Sequence, residues 1–300
     1  VYGMGEAQIC AIARRLQEKI PIDALPGIPG TAIVSDNPDL IARCLVLPSY
    51  EDVARNPQQF NEAFRTIAAQ QSPQRAVPLA QPHGNRWVVC FPPQPPLRPE
   101  ALDRIYDLPY TRRWHPAYDA ADGVPALEPV RFSITSHRGC CGQCSFCSLS
   151  LHQGRIVQSR SPASIIREAR RIAALDGFAG TISDVGGPTA NLYGASCPRW
   201  QRSDCCDDRA CLFPEPCANL DPGYKRALAL YRRLRSLPGV RHVFISSGFR
   251  HDLLCDEAAR PYLKEICSHH LSGRMKVAPE HLDDQVLRCM GKPGSAAYAA

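Results

Sequence analysis

No stretch of the sequence approaches the ~18 unbroken apolar residues of a membrane-spanning helix. A helical membrane anchor within these 300 residues is therefore excluded. The opening Val1-Tyr-Gly-Met-Gly lacks both an initiator methionine and the basic-then-apolar pattern of a secretory signal. Both ends read as cuts in a longer chain, since the last residues, Gly294-Ser-Ala-Ala-Tyr-Ala-Ala, follow directly on a helix-like segment. No strong charge of one sign is present either. The net charge of +6 is spread out, and its densest group, Lys225, Arg226, Arg232, Arg233 and Arg235, reads as a solvated helix face. Nucleic-acid binding is permitted by this charge but not argued by it. What is abundant is cysteine. There are fifteen, grouped at 140, 141, 144, 147 and again at 197, 205, 206, 211, 217. Short-interval grouping points to metal ligation more than to a disulfide framework. Cys10, Cys44, Cys90, Cys255, Cys267 and Cys289 read as isolated buried thiols.

Residues 1–20 read as an amphipathic helix with Ile9, Ile12, Ala13 and Leu16 on one face. Thr31-Ala-Ile-Val-Ser is a short strand, and residues 48–86 are polar and helix-leaning. Phe91–Glu100, with five prolines, is a linker. A short helix follows over Leu102–Leu108, and residues 109–128 are irregular. From Val130 the pattern becomes strand–helix alternation. Strands are predicted at 130–135, 180–185, 241–246 and 274–278. Helices are predicted at 161–174 (Ser161 capping, Pro162 in the first turn), 222–236, 258–269 and 282–290. Such alternation implies an α/β fold with a parallel sheet and right-handed crossovers, either open or part of a barrel. Ligands then gather at the C-terminal strand ends, where the first cysteine group, Gly186-Gly187, Ser246-Ser247 and Pro279-Glu280 all fall.

The first group reads His137-Arg-Gly-Cys140-Cys141-Gly-Gln-Cys144-Ser-Phe-Cys147. Two ligand spacings are possible, starting at Cys140 or at Cys141. A ferredoxin run would need a fourth cysteine four residues after the third, and position 151 is Leu and 152 His. Three cysteines on one loop leave one iron of a 4Fe-4S cubane without a protein thiolate, the open position that a catalytic centre needs. S-adenosylmethionine (SAM) can chelate that iron through its amino and carboxylate groups, and one electron then splits its sulfonium bond to give a 5′-deoxyadenosyl radical. Zinc on the same cysteines is the rival, and would need Cys141 or a distant fourth ligand. Phe146 is expected to shield the centre or to be a core aromatic. His137 and His152 read as loop histidines. The second group, Cys197, Cys206, Cys211 and Cys217 with Cys205 extra, lies among Asp204, Asp207, Asp208, Pro214 and Pro216. That composition predicts a loop without an apolar core, ordered by a four-thiolate site for zinc or an auxiliary iron–sulfur cluster.

The Cys-x3-Cys-x2-Cys string after a strand resembles the radical SAM signature. A longer set resembles the YgiQ family: Arg131-Phe-Ser, Arg138-Gly-Cys, Cys144-Ser-Phe-Cys147, Gly154-Arg-Ile, Gln158-Ser-Arg-Ser161, Ser183-Asp-Val-Gly-Gly-Pro-Thr-Ala-Asn191 and Lys276-Val-Ala-Pro-Glu-His281. His83-Gly-Asn-Arg86, Leu108-Pro-Tyr110 and His115-Pro-Ala-Tyr118 extend it upstream. The resemblance places a ligand at Cys140 and none necessarily at Cys141. It implies a partial (βα)6 TIM-like radical SAM barrel over 129–300, truncated at the C-terminus and holding about four units, with a Cys-rich insertion at 195–220. Residues 1–128 would be the remnant of an α/β domain plus linker. A cobalamin-binding-like domain is one candidate for it, although no Asp-x-His-x-x-Gly cobalamin string is present. The implied activity is reductive SAM cleavage on an unknown substrate, with a 4Fe-4S cluster on Cys140, Cys144 and Cys147. The implied SAM contacts are Gly186, Gly187, Ser247, Arg250 and Glu280, with Ser246 and His281 as neighbours. At the third place of the glycine motif the family usually has Glu, and this chain has Pro188. A reductant such as flavodoxin or ferredoxin is the expected partner, and a thiolate-ligated cluster fits a reducing compartment, so a cytoplasmic location is expected. The alternative is a non-catalytic iron–sulfur or zinc protein that transfers electrons or binds RNA.

Overall fold

The computed structural model describes residues 1–21, 27–202, 204–206 and 208–299, with the side chain of Gln201 left aside. Asp207 of the cysteine-rich insertion lies outside them. The chain forms two compact units. The first comprises Val1–Pro96, Leu151–Gly154 and Gln201–Cys205; the second comprises Leu97–Ser150, Arg155–Trp200 and Cys206–Ala300.

The first unit is built on a mixed sheet of order β1-β4-β3-β2. Its elements run α1 (Glu6–Gln17), β1 (Ala32–Ser35), α2 (Pro38–Ile41), β2 (Leu45–Val46), α3 (Tyr50–Arg55), α4 (Pro57–Ala69), β3 (Leu79–His83) and β4 (Arg86–Cys90). Ser49 caps α3 and Asn56 caps α4, each by accepting from a first-turn backbone N–H. β3 and β4 form a hairpin across Gly84-Asn85 that the helix-leaning reading of 48–86 missed. Its signal is that two-residue turn, with Gly84 at φ +59°. Ala80, Val89 and Phe91 form the core under Ile33 and Trp87. The apolar stripe expected to anchor α1 instead faces outward, with Ile9 60% and Leu16 44% exposed, while Gln8 is fully buried. The Gln8 amide donates to the Tyr2 carbonyl at 3.3 Å and fills the space over Gly30, so a hydrogen bond overrides the hydrophobic pattern.

From Leu97 the elements are α5 (Pro99–Tyr106), β5 (Ser133–Thr135), β6 (His137–Arg138), α6 (Leu149–Gln153), β7 (Gln158–Ser159), α7 (Pro162–Ala173), β8 (Thr181–Ile182), β9 (Asp184–Gly186), α8 (Pro198–Arg202), α9 (Tyr224–Arg235), β10 (His242–Val243), α10 (Arg260–His269), α11 (Asp284–Cys289) and α12 (Ala296–Ala299). β5 pairs parallel with β9, and β8 pairs parallel with β10. The Val185 N–H donates to Phe244 O at 3.0 Å, joining the pairs into one parallel arrangement in chain order. The second unit is thus mixed α/β, as the alternation predicts. The strand expected at 274–278 is reduced to a single parallel bridge between Val277 and Phe249. Its neighbour there follows a bend at Ser247 and is not a strand, so no ladder propagates. β6 pairs antiparallel with β7, a pairing the sequence did not suggest.

The core lies between this sheet and α7, α9 and α10, and includes Ile134, Ile165, Ile182, Val185, Leu230, Val243, Phe249 and Ile266. Ser161 caps α7 as expected, accepting from the Ser164 N–H, and Asp103 in turn accepts from the Ser161 N–H at 2.9 Å. Beside it, Arg160, 1% exposed, ion-pairs with Glu168, which also binds Arg112. Arg160 donates to Thr135 O at 2.8 Å and so pins α7 to β5. The basic residues of α9 are on its solvated side, where Arg232 and Arg235 pair with Glu265. The insertion is not devoid of apolar packing. Cys211, Leu212 and Ala195 join Cys141, Val157, Leu192 and Leu253 in a second small core, with Trp200 and Leu220 against it. The prolines and acids around Leu212 masked that contribution.

Candidate functional site

The first cysteine loop leaves β6 and is braced from behind by the end of α11. The Ser145 N–H donates to Met290 O at 3.0 Å, and the Ser145 hydroxyl donates to Cys289 O at 2.7 Å. Cys140, Cys144 and Cys147 are all half-buried. A Cβ on Gly142 would stand 3.4 Å from Cys140 Sγ and 3.7 Å from Cys144 Sγ, so these thiols flank the glycine. Burial pushes the Cys144 thiol up; Arg250 and Lys292 pull it down, and the neighbouring Cys140 and Cys147 add to the rise. The three thiols therefore converge enough to feel one another, with two cations beside them. Among the described residues, no three His, Cys, Asp or Glu side chains are close enough to share one metal ion. A cubane spreads its thiolates over separate irons and does not require them around a single ion.

Cys141 points the other way. It is fully buried and hydrogen-bonds Cys211 of the insertion. That bond and burial raise the Cys141 thiol, while Cys211 is lowered to about 7, first by the bond from Cys141 and then by Arg155 and Trp200 against burial. Of the other insertion thiols, Cys206 accepts from Arg199 Nη1 at 3.0 Å, and the Cys217 N–H donates to Cys211 O at 2.9 Å. Cys197 is buried and lies near enough to Arg199 to act on it electrostatically.

The strand ends bring Gly186, Gly187, Ser246, Ser247 and Arg250 to the same side of the sheet. Each glycine has a packing reason. A Cβ on Gly186 would lie 2.1 Å from Ser247 Oγ and 2.5 Å from Asp184 Oδ2. One on Gly187 would lie 2.5–2.7 Å from the His137 ring. Asp184 organises the neighbouring strand end: its carboxylate accepts from the Ser246 N–H at 2.8 Å and from the Ser247 hydroxyl at 2.6 Å. His137 is fully buried, with Nδ1 2.8 Å from Ser136 Oγ. Burial pushes it down to about 4, against a backbone hydrogen bond with Thr189 that acts upward.

Arg250, 5% exposed, makes a forked pair with Asp252 through Nε at 2.8 Å and Nη2 at 2.6 Å. Its Nη1 lies 3.6 Å from Cys144 Sγ. Asn191 holds its backbone from both sides, each bond 2.9 Å. Thr189 Oγ1, from the same Gly-Gly-Pro-Thr-Ala-Asn stretch, lies 3.7 Å from Cys140 Sγ. Glu280 sits in the left-handed region at φ +70° and pairs with Lys292 at 3.6 Å. His281 is exposed and accepts from the Asp283 N–H at 2.9 Å. Phe146 is 54% exposed and so is not a core aromatic. His152 belongs to the first unit.

Sequence reasoning gave no individual role to Gly142, Asp184, Thr189 and Asn191, which it quoted only within longer motifs, and passed over Asp252 and Lys292. Asp252 carried a signal, an acid two residues from a candidate arginine. Lys292 carried none, because its burial (4% exposed) depends on the turn at Gly291, where the Lys292 N–H reaches Leu287 O at 2.9 Å.

Residues 1–133 match the family model described as "Radical SAM N-terminal". Over 298 residues the chain is 43% identical to a "UPF0313 protein" of Clostridium botulinum (strain ATCC 19397 / Type A), covering 99% of this chain and 46% of that protein. It is 42% identical over 299 residues to a "UPF0313 protein" of Clostridium perfringens (strain SM101 / Type A), covering 99% and 45%. It is 41% identical over 323 residues to one of Methanosarcina acetivorans, covering 99% and 43%. The chain spans about half the length of the curated relatives it matches. These matches put it in the radical SAM class, the class its motifs resemble. Within that class the proteins it matches over nearly its whole length are UPF0313 proteins, whose names state no activity. No helix among the described residues is long and apolar enough to cross a membrane.

Proposed function

We propose that the protein is a radical SAM enzyme whose 4Fe-4S cluster is held by Cys140, Cys144 and Cys147. The observation that carries the reading is the loop itself: Cys140 and Cys144 flank Gly142, Cys147 is within electrostatic range, and Arg250 and Lys292 stand beside them. Three soft thiolates and nearby cations suit an anionic iron–sulfur cluster, so the donor set fits the group. When bound, that cluster would supply the one electron needed to cleave SAM reductively into methionine and a 5′-deoxyadenosyl fragment. The chain's residues do the rest by holding and orienting. Thr189 and Arg250 place donors on two of the sulfurs. The backbone at Gly186 and Gly187, the Ser247 hydroxyl and Glu280 are the groups we assign to SAM.

In this reading residues 129–300 supply about four units of a partial (βα)6 barrel, preceded by the segment 1–128, of which 97–128 belong to the second unit. Cys197, Cys206, Cys211 and Cys217 are the thiols we assign to a second site for zinc or an auxiliary cluster; they are not gathered around one ion among the described residues and would have to close on binding. Replacing Cys206 and Cys211 together by Ser should then remove that metal; unchanged iron and zinc content would end this part of the proposal.

The decisive experiment is anaerobic reconstitution of the full-length protein with iron, sulfide, dithionite and SAM. The expected result is a cubane signal that SAM perturbs, together with 5′-deoxyadenosine. Both should be lost in C140S, C144S and C147S and kept in C141S. No cubane signal, or one unmoved by SAM, overturns the proposal. A cluster that cycles electrons without forming 5′-deoxyadenosine makes the protein an electron-transfer module instead.

A further inference from the structure

The sequence offers Arg250 as a fork for the carboxylate of SAM. The structure gives that fork another occupant. Nε and Nη2 are both committed to Asp252, at 2.8 and 2.6 Å, in a pair whose side chains are 6% and 3% exposed. The residue cannot readily swing to a ligand, because Asn191 clamps its backbone N–H and C=O at once. Nη1, which Asp252 does not engage, faces Cys144 Sγ at 3.6 Å. The approach is open because position 142 is glycine; a Cβ there would come within 3.1 Å of Nη1.

We propose that Arg250, positioned by Asp252 and Asn191, donates a charge-assisted hydrogen bond to the Cys144 sulfur of the cluster and thereby raises the cluster's reduction potential. This rests on the radical SAM reading above. A guanidinium is always protonated, so towards a metal-bound thiolate it can only donate. Three thiolates make the site anionic. Reduction adds one electron from an external low-potential reductant, takes up no proton in this step, and leaves the cluster one charge more negative. A fixed donor on a ligand sulfur stabilises the more negative state more strongly, which favours the reduced cluster. The hydrogen bond must be fixed in place to act this way, and Asp252 fixes it. Arg250 is thus a positioning and tuning residue.

The test is an EPR-monitored redox titration of the reconstituted full-length protein without SAM. In R250Q/D252N, which removes both charges and leaves no buried ion unpaired, the equilibrium constant for one-electron reduction should fall roughly tenfold, a midpoint about 59 mV more negative. Arg250→Lys keeps a cation opposite Asp252, but a single ammonium drawn to that carboxylate leaves Cys144 without its donor; roughly a threefold fall in the same direction is expected. If both variants assemble the cluster and both constants stay within twofold of the parent, the inference is overturned. If the double variant holds no cluster, Arg250→Lys decides, and an unchanged constant there overturns it. A purely structural role would lower melting temperature and occupancy without moving the midpoint of the clusters that form. Failure of the parent itself to form a SAM-responsive cluster would count against the proposed function instead.

Discussion

Gly187→Ala separates two reasons for a glycine at the end of β9. If the glycine serves only the close approach of a ligand, an added methyl should cost the ligand-free protein nothing. The structure argues otherwise. The new Cβ would lie 2.5 Å from His137 Cε1 and 2.7 Å from both ring nitrogens. Carbon contacts settle near 3.5–4.0 Å, so ring and strand must separate by roughly 1 Å. The ring has little room to move: it is fully buried, bonded to Ser136 Oγ at 2.8 Å, and carried on β6, which β7 holds in register through Ser159. Overpacking of this kind costs about 1–3 kcal/mol. At about 2 kcal/mol, melting of a unit this size should drop by roughly 4–8 °C. The assay is thermal and denaturant unfolding of the parent, Gly187→Ala, His137→Ala and the double variant. Removing the ring makes room for the methyl, so the double variant should recover about 1–2 kcal/mol relative to additivity, in the range of directly contacting pairs. A strictly additive cycle, or an unaffected Gly187→Ala, would refute the steric reasoning and return the glycine to the ligand.

The other expectations rest on buried charge and thiol chemistry. Glu168→Gln leaves Arg160, 1% exposed, without its buried carboxylate; a loss of about 3–5 kcal/mol is expected from denaturant unfolding, and a loss below 1 kcal/mol would show that the Arg160–Glu168–Arg112 group does not hold α7 to β5. Cys211, at about 7 and lowered chiefly by Cys141, should titrate higher in Cys141→Ala; the pH dependence of its alkylation, read by peptide mass spectrometry, checks this, and an unmoved midpoint contradicts the bond. His137, lowered to about 4, is neutral in the folded protein, whereas the unfolded chain takes up a proton near 6.5. Its stabilising contribution is therefore complete above pH 6.5 and fades as pH falls towards 4, by about 2–3 kcal/mol at pH 4.5. Unfolding free energies at pH 7.5 and 4.5 should differ less in His137→Gln than in the parent, and equal differences would reject the assignment.

The local signals in the sequence were strongest where one residue determines one geometry. Ser161 and Pro162 announced α7, and strand–helix alternation announced the parallel order of β5, β9 and β10, because capping and periodicity are short-range. What failed to show was long-range satisfaction of polar groups. Nothing in the sequence says that Gln8 is buried and Ile9 exposed, since that depends on a carbonyl at Tyr2 and the bare Cα of Gly30. The same holds at the site. The positions of Gly186 and Gly187 were legible from the strand pattern, but their immediate neighbours, Ser247, Asp184 and His137, come from other strands. Arg250 was singled out as a candidate SAM contact, and its partner in the fold, Asp252, only two residues on, was passed over. The strand at 274–278 was over-read because alternation cannot report that the adjoining segment bends at Ser247.

Under the proposed reading, the surrounding protein prepares the cysteine loop before any metal arrives. Burial makes these thiols resist ionisation, and their closeness to one another adds to it, as the raised Cys144 shows. A loop that relied on the metal alone to gather its ligands would have to be ordered by the binding energy itself. Here the ordering comes from elsewhere: from the Ser145 bonds to Cys289 and Met290, and from Cys141, whose side chain is turned into the small core and bonded to Cys211. Adjacent cysteines thus serve opposite ends, Cys141 anchoring the loop inward while Cys140 stays on the accessible side with Cys144 and Cys147. The opposing charge is also preset, with Arg250 and Lys292 each tied to a carboxylate, Asp252 and Glu280, that keeps it in position. Because each cation already has a counterion, their net effect on the thiolates is modest and directional: it favours a bound anion at the Cys144 side without leaving an unpaired charge when the site is empty of one.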